Sequence, residues 1–389
     1  MIKKSILFRQ HHFFELLDRF DSEKGPIDVF INLYFRHNPQ LGSKDRLYVV
    51  ERIYTYLRWK LLIETLLDRQ ALSGEKREQA LLELVEQDWT KPFTDKDESL
   101  PLYIQVSFPQ NLYQALEATF GPKTPSICRA CNKPAPIVLR VNSLKTTKEV
   151  LCELLRAQGI EVEDVQSMPS AVRLLRRVNL FSLPEFKAGY FEVQDAGSQM
   201  VADLVGAQPG QSVLDFCAGA GGKTLAFGPK LQNKGQIYLH DIREQALLEA
   251  KKRLKRAGIQ NFQIVHPGEE RKLKALKKRM DWVLVDAPCS GTGTLRRNPD
   301  MKWKFSSEMV LRLVAEQRQI FSEAVSYLKP GGTIVYATCS LLKEENEDQC
   351  DYFLKNYPLT LAGTPFRSCP VSGGMDGFFA VCLQLSQKM

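Results

Sequence analysis

No apolar run in this 389-residue sequence is long enough to span a bilayer, and its first residues (Met1 to Ser5) lack the apolar segment and cleavage site of a secretory signal. A cytoplasmic protein with no membrane partner is expected. Histidine is scarce: five residues, at 11, 12, 37, 240 and 266, too scattered to form a ligand set. The Cys-x-x-Cys at Cys128 and Cys131 has no second pair with zinc-finger spacing, so no metal is expected and the two thiols read as packing together one helical turn apart. Without a secretion signal the nine cysteines should be reduced thiols rather than disulfides. Cys152, Cys350, Cys369 and Cys382 read as buried small hydrophobes. Internal repeats and low-complexity tracts are absent too.

What is present is an ordinary globular composition, 44% hydrophobic and 25% charged, in a chain long enough for two or three cores. The net charge of +8 suits a polyanionic partner, because a basic surface attracts phosphates and gains from counterion release.

The hydrophobic pattern divides the chain. Residues 1–98 read as helical: Phe13, Leu16, Leu17 and Phe20 share one face, as do Val49, Ile53, Leu57 and Leu61. Gly25-Pro26 marks a turn, and Gly42-Ser43 precedes a helix beginning near Asp45. Residues 99–136, punctuated by prolines, read as a linker with short helices, one around Leu112 to Ala118. Residues 137–195 form a small α+β module, with strands at Ile137–Val141, Ile160–Val165 and Val172–Leu175 and a helix at Thr147–Ala157. Residues 196–389 alternate strand and helix. The strands are Ser212–Phe216, Gln236–His240, Phe262–His266, Trp282–Asp286, Thr333–Ala337 and Gly377–Gln384, with helices such as Arg243–Ala257 and Ser306–Leu328. That rhythm predicts an α/β, doubly wound, mostly parallel sheet.

Within it, Val213 to Cys217 runs into Ala218-Gly-Ala-Gly-Gly-Lys-Thr224. Glycines after a strand let backbone approach a bound nucleotide at the sheet's carboxyl edge. Gly222-Lys223-Thr224 imitates the end of a phosphate-binding G-x-x-x-x-G-K-[ST] loop, but the required first glycine falls on Cys217, which removes an NTPase. An adenosine-containing cofactor fits better. Asp241 ends the next strand, where an acidic residue holds a ribose hydroxyl pair or caps the following helix.

Two cysteines follow later strands: Asp286-Ala-Pro-Cys289-Ser-Gly-Thr-Gly293 and Tyr336-Ala-Thr-Cys339-Ser340. Both fall at the same carboxyl edge. These motifs resemble the Sun family of RNA cytosine-5 methyltransferases, most closely the bacterial 16S ribosomal RNA enzymes. The resemblance runs from about Leu139 to the C-terminus and includes Arg140-Val-Asn142, Gln194-Asp195 with Gly197-Ser198, Arg296-Arg-Asn-Pro-Asp300 with Lys302-Trp303, Glu344-Glu-Asn346 and Gly377-Phe-Phe379.

The resemblance implies a seven-stranded, Rossmann-like S-adenosylmethionine (SAM) domain that methylates carbon 5 of cytosine, probed by three residues. Cys339 adds to carbon 6, Cys289 assists release, and Asp286 hydrogen-bonds the N3/N4 edge of the base. It places SAM against Cys217, Ala218, Gly219, Ala220, Gly221, Gly222, Lys223, Asp241 and Asp286. Lys223 lies where it lines the same pocket. Two positions depart from the family: Ala220 replaces a proline, and His266-Pro-Gly268 stands where relatives carry an aspartate, with Glu269 its nearest substitute. DNA cytosine methyltransferases attack from a Pro-Cys motif, so residue type alone does not rank Cys339 above Cys289. Thr338-Cys339-Ser340 and the N-terminal modules favour RNA over DNA.

Leu41-Gly-Ser-Lys-Asp-Arg46 and the helix Tyr48 to Arg58 resemble the NusB-like domain of bacterial Sun-type enzymes, which implies small-subunit ribosomal RNA as partner; a monomer is expected. Transfer RNA as substrate, and a non-catalytic RNA-binding assembly factor, are the alternatives. Arg296, Arg297 and Lys302, flanking the cysteine loop, are the favoured RNA contacts. The clusters Lys251 to Arg256 and Arg271 to Arg279 read equally as RNA contacts or as solvated helix faces.

Overall fold

The computed structural model describes residues 2–20, 25–89, 99–165 and 168–387. The division expected at residue 98 therefore lies outside the described residues. The chain separates into two compact units: one joins the residues up to Pro134 with Thr294–Ser306, and the other holds Ala135–Gly293 and the residues from Ser307 onward.

The first unit is helical. Helices Ile2–Phe20, Ile27–His37, Ser43–Arg69 and Gly74–Glu86 bury Phe13, Leu16, Ile31, Val49, Ile53 and Leu57. Leu17 and Leu61 are only partly buried, because Leu62 and Ile63 take the inward positions instead. The Ser43–Arg69 helix starts where Asp45 turns back to accept the Gly42 N–H at 3.1 Å. The proline-rich stretch is folded as helices Leu102–Gln105, Gln110–Phe120 and Thr124–Cys131, the last burying Cys128 and Cys131. It packs as part of this unit.

Thr294–Ser306 leaves the sheet-bearing part of the sequence to join these helices. Its anchor is Lys302, 1% exposed, whose ammonium donates to Arg58 O at 2.7 Å, Ser107 O at 2.8 Å and Asn132 Oδ1 at 2.9 Å. As an ammonium its three donors meet three acceptors, while burial pulls the group down to about 7. Trp303 Nε1 adds a bond to Leu57 O at 3.0 Å.

The second unit contains two sheets. The smaller is antiparallel, with strands β1 (Ile137–Val141), β2 (Val162–Asp164), β3 (Ala171–Leu174) and β4 (Phe191–Val193) in the order β2-β3-β1-β4. The helix Lys148–Ala157 covers it with Leu151, Cys152 and Leu155. The larger contains β5 (Ser212–Asp215), β6 (Gln236–His240), β7 (Phe262–Val265), β8 (Met280–Asp286), β9 (Leu328–Thr338), β10 (Leu359–Leu361), β11 (Phe366–Ser368) and β12 (Phe378–Leu385). Its path is β10-β12-β9-β8-β5-β6-β7, with β11 paired beside β12 as an eighth strand. β5 to β9 are mutually parallel, while β10, β11 and β12 pair antiparallel. Helices cover both faces, so the central strands are apolar without alternation: Val283 and Val285 enter one core with Phe321 and Phe353, and Leu284 enters the other with Leu247 and Leu254. Among the described residues no helix is long and apolar enough to cross a membrane.

Lys302→Met keeps the length of the plug but leaves its three oxygen acceptors without a donor. Unfolding of the full chain in denaturant should show a loss of about 3 kcal/mol; stability equal to the parent's would refute the anchoring role.

Candidate active site

After β5 the chain turns through residues 216–223 into the short helix Thr224–Phe227. Gly219 and Gly221 adopt left-handed φ values of 52° and 74°, and a side chain on Gly221 would also crowd Ala250 Cβ at 3.1 Å. Cys217 is partly exposed and Ala218 is buried, its N–H bonded to His240 O at 2.9 Å. Asp241, at the end of β6, accepts the Gly219 N–H at 2.7 Å on one oxygen and the Arg243 N–H at 2.8 Å on the other. Burial pushes its carboxyl up, but these bonds and the Arg243 guanidinium outweigh that and hold it below the usual range. Asp241 is therefore an anion. Asp215 differs. Its Oδ2 accepts Thr224 Oγ1 at 2.6 Å, its Oδ1 is buried with no hydrogen-bond partner, and burial raises the carboxyl to about 7.

The β8–β9 register sets Asp286 opposite Ala337, so the loops that follow begin side by side. They bring Cys289 Sγ and Cys339 Sγ to 3.4 Å, within hydrogen-bonding distance for sulfur. Beside them the Lys223 ammonium donates to Asp286 Oδ2. Burial pulls Lys223 down, but Asp286 more than offsets this, with a further contribution from Cys339, and the group stays a cation. Cys289 is pushed well above the ordinary thiol range by its hydrogen bond to Cys339, then by burial and by the charge of Glu345. Burial likewise pushes Cys217 well up. The glycine loop, Asp241, Asp286 and both cysteines all lie at the carboxyl ends of parallel strands, where the strand order reverses direction between β5 and β8.

Residues 202–383 match the family model described as 16S rRNA methyltransferase RsmB/F, and residues 108–180 match an RsmF/B-like ferredoxin-like domain. A relative from Synechocystis sp., named probable ribosomal RNA small subunit methyltransferase B, is 34% identical over 310 residues, 74% of this chain and 69% of its own length. The chain belongs to the RsmB/F family. Ribosomal RNA small subunit methyltransferase B of Photorhabdus laumondii is 35% identical over 70% of this chain, which spans 65% of that relative's length. A crystal structure of a methyltransferase homolog protein from Pyrococcus horikoshii superposes with a TM-score of 0.66 at 26% identity, covering 75% of this chain and 100% of the other. Nearly all of the larger sheet of this RsmB/F member lies within the residues that the methyltransferase model matches.

Several residues that organise the RsmB/F site were not assigned a role from sequence. Arg140 and Gln194, from the small module, both donate to Gly222 O, at 3.0 and 3.2 Å, and to this Arg253 adds a bond to Ala220 O at 2.8 Å. The glycine loop is thus held by its carbonyls from outside the larger sheet. Gly293 permits a close crossing: a Cβ there would lie 2.0 Å from Gly377 O, while its N–H bonds Cys339 O at 2.8 Å. Glu345 accepts hydrogen bonds from Ser290 and Ser340, which directly follow the two cysteines. The sequence signal for Arg140, Gln194, Gly293 and Glu345 was that each sits in a family motif, while Arg253 was read only as part of a basic cluster.

Other expectations need correction. Arg296 and Lys302 are buried in the helical unit rather than presented to RNA, because the segment carrying them is packed among helices. Arg253 and Arg256 are committed to the buried carboxylate of Glu192. Lys251, Lys252 and Lys255 remain exposed, as do the basic residues from Arg271 to Arg279. An open groove of about 700 Å³ beside β7 is lined by Lys251, Lys255, Phe262, His266 and Lys272. Glu269 accepts the His266 N–H at 3.0 Å and the Lys272 ammonium at 2.5 Å, which places it as a local cap. Cys369 and Cys382 are partly exposed, not buried. Among the described residues no group of three or more histidine, cysteine or acidic side chains is arranged to hold a metal.

The Asp215 carboxyl, raised by burial from the ordinary range of about 4 to about 7, binds more proton in the folded state than in the unfolded one. Its contribution to stability therefore falls as pH rises through that window and is level above it. The melting temperature of Asp215→Asn should gain on that of the parent between about pH 4 and 7 and then run parallel; a gap independent of pH would contradict the assignment.

Proposed function

We propose that this chain is a SAM-dependent RNA cytosine-5 methyltransferase acting on 16S ribosomal RNA, with Cys339 as nucleophile. The observation that carries the reading is the pair of sulfurs 3.4 Å apart, beside the buried Lys223 ammonium paired with Asp286 and next to the glycine loop. The residues present fit SAM. Asp241 offers an anionic acceptor to ribose hydroxyls, the orphaned Asp215 Oδ1 awaits a donor, and a Cβ added to Gly222 would meet nothing closer than Gln194 Nε2 at 4.0 Å. When bound, SAM supplies an electrophilic methyl group.

Carbon 5 of cytosine is a poor nucleophile until electron density is pushed onto it. The Cys339 thiolate forms a bond to C6, and the C5–C6 π pair becomes available at C5. Around Cys339 stand the Lys223 ammonium and the Cys289 thiol, which stays protonated and hydrogen-bonds to it. Asp286 orients the base through its N3/N4 edge. Once C5 carries the methyl group, its proton passes to water, the C–H pair restores the C5–C6 double bond, and Cys339 leaves as a thiolate that again accepts the Cys289 S–H. Cys289 assists this release.

The RNA class rests on the description of the RsmB/F family, on the relatives named for small-subunit ribosomal RNA, and on the net charge of +8. The helical region, read as NusB-like, serves RNA binding in this scheme.

The test is transfer of label from SAM to small-subunit RNA that lacks the modification, followed by nucleoside analysis. Label is expected in 5-methylcytidine; SAM binding without transfer to RNA or subunits would favour an assembly factor instead. On denaturing gels Cys289→Ala should accumulate a covalent RNA–protein adduct and Cys339→Ala none, and the reverse pattern would overturn the roles of the cysteines.

A further inference from the structure

Ser290 and Ser340 each follow a site cysteine, one in the loop after β8 and the other after β9. Both hydroxyls donate to the same oxygen, Glu345 Oε2, at 2.5 Å. The other oxygen, Oε1, accepts the Ser290 N–H at 2.9 Å and Gln317 Nε2 at 3.1 Å. Four donors converge on one fully buried side chain, the pattern an ionised, acceptor-only carboxylate satisfies. Glu345 is fixed in turn from its own backbone: Tyr336 donates to Glu345 O at 2.8 Å, and the next residue, Asn346, donates to Ser340 O at 2.9 Å.

Burying a carboxylate is costly, and two serine hydroxyls could have been satisfied by a neutral side chain. The charge therefore calls for a purpose beyond holding the fold. Building on the two-cysteine mechanism above, we propose that Glu345 is a positioning residue that clamps the residues after Cys289 and Cys339, fixing the sulfur–sulfur geometry and so which of the two sulfurs reacts. Its charge acts on Cys289 in the same direction as burial and the hydrogen bond to Cys339, keeping that sulfur protonated. The other ionisable groups around the pair are Lys223, Asp286 and Tyr336. Lys223, bonded to Asp286, lies close enough to Cys339 to be held charged partly by it.

Two substitutions separate clamp from charge. In Glu345→Gln the amide Nε2 replaces Oε2 and donates to the two hydroxyls, which can turn round, while Oε1 keeps its two donors; only the charge is lost. Glu345→Ala removes both. The measurement is iodoacetamide alkylation of the full-length chain without RNA or SAM between about pH 6 and 10, with the rates at Cys289 and Cys339 read by peptide mass spectrometry. The parent should react mainly at Cys339. In Glu345→Gln, Cys289 should become reactive at lower pH, and the Cys339-to-Cys289 rate ratio should fall about tenfold, the scale of one hydrogen bond to a charged group. Glu345→Ala should lose at least as much selectivity and lower kcat for methyl transfer by more than about tenfold, with KM for SAM unchanged.

A parent-like ratio and pH profile in folded Glu345→Gln would overturn the proposal, even if Glu345→Ala proves too unstable to purify. Because alkylation requires no methyl transfer, the two readings fail separately. An inactive parent whose ratio still responds to Glu345→Gln would sink the methyltransferase and spare the clamp. An active parent whose ratio does not respond would do the opposite.

Discussion

Parallel pairing of β5, β8 and β9 makes their carboxyl ends share one edge, and every group proposed for the chemistry stands on a loop leaving that edge. The register is enforced by the core. A slip of one residue in β8 would exchange Val283 and Val285 with Leu284, turning each toward the wrong face of a sheet covered on both sides. The same register sets Asp286 against Ala337 and so determines how far apart Cys289 and Cys339 lie. Hydrophobic burial, which is nondirectional, thus delivers a sulfur–sulfur distance through the directional rule of the sheet.

The edge is finished by polar contacts whose partners come from far along the chain. Arg140 and Gln194 hold Gly222 O from the small antiparallel module, so that module supports the glycine loop directly. Asn142 ties the same module to the helix after β6 through Ala257 O at 2.7 Å. The left-handed Gly189 makes the approach possible, since a Cβ there would meet Arg256 O at 2.2 Å. These bonds lie in buried surroundings where an unmade partner is expensive, which favours a single arrangement of the loop over several.

Strands in the larger sheet with long apolar runs were legible to within a few residues: β6 spans Gln236–His240 as read, and β5 and β7 each end one residue early. β4, β10 and β11 were missed because three residues cannot establish an alternation; each exists by pairing with a neighbour already in place. In the site, the glycine loop and both cysteines could be read because motif and strand end coincide in sequence. Glu345 could not be given a role, since two of its partners, Ser290 and Gln317, are far away in the chain. Lys302 misled for a related reason. A lysine next to a functional loop is read as solvent-facing by default, and its burial depends on oxygens contributed by Arg58, Ser107 and Asn132.

That lysine also imposes an order of assembly. During synthesis the residues forming its socket leave the ribosome early, whereas the plug emerges only after β1 to β8 have been made. Until then the helical unit has carbonyls pointing at a gap, and its packing is incomplete however long it waits. Domains made N-terminal first ordinarily fold in that sequence. Here the first unit to be started cannot be finished until most of the second has been made, so a nascent chain stalled before Thr294 would hold a helical unit that is only provisionally folded.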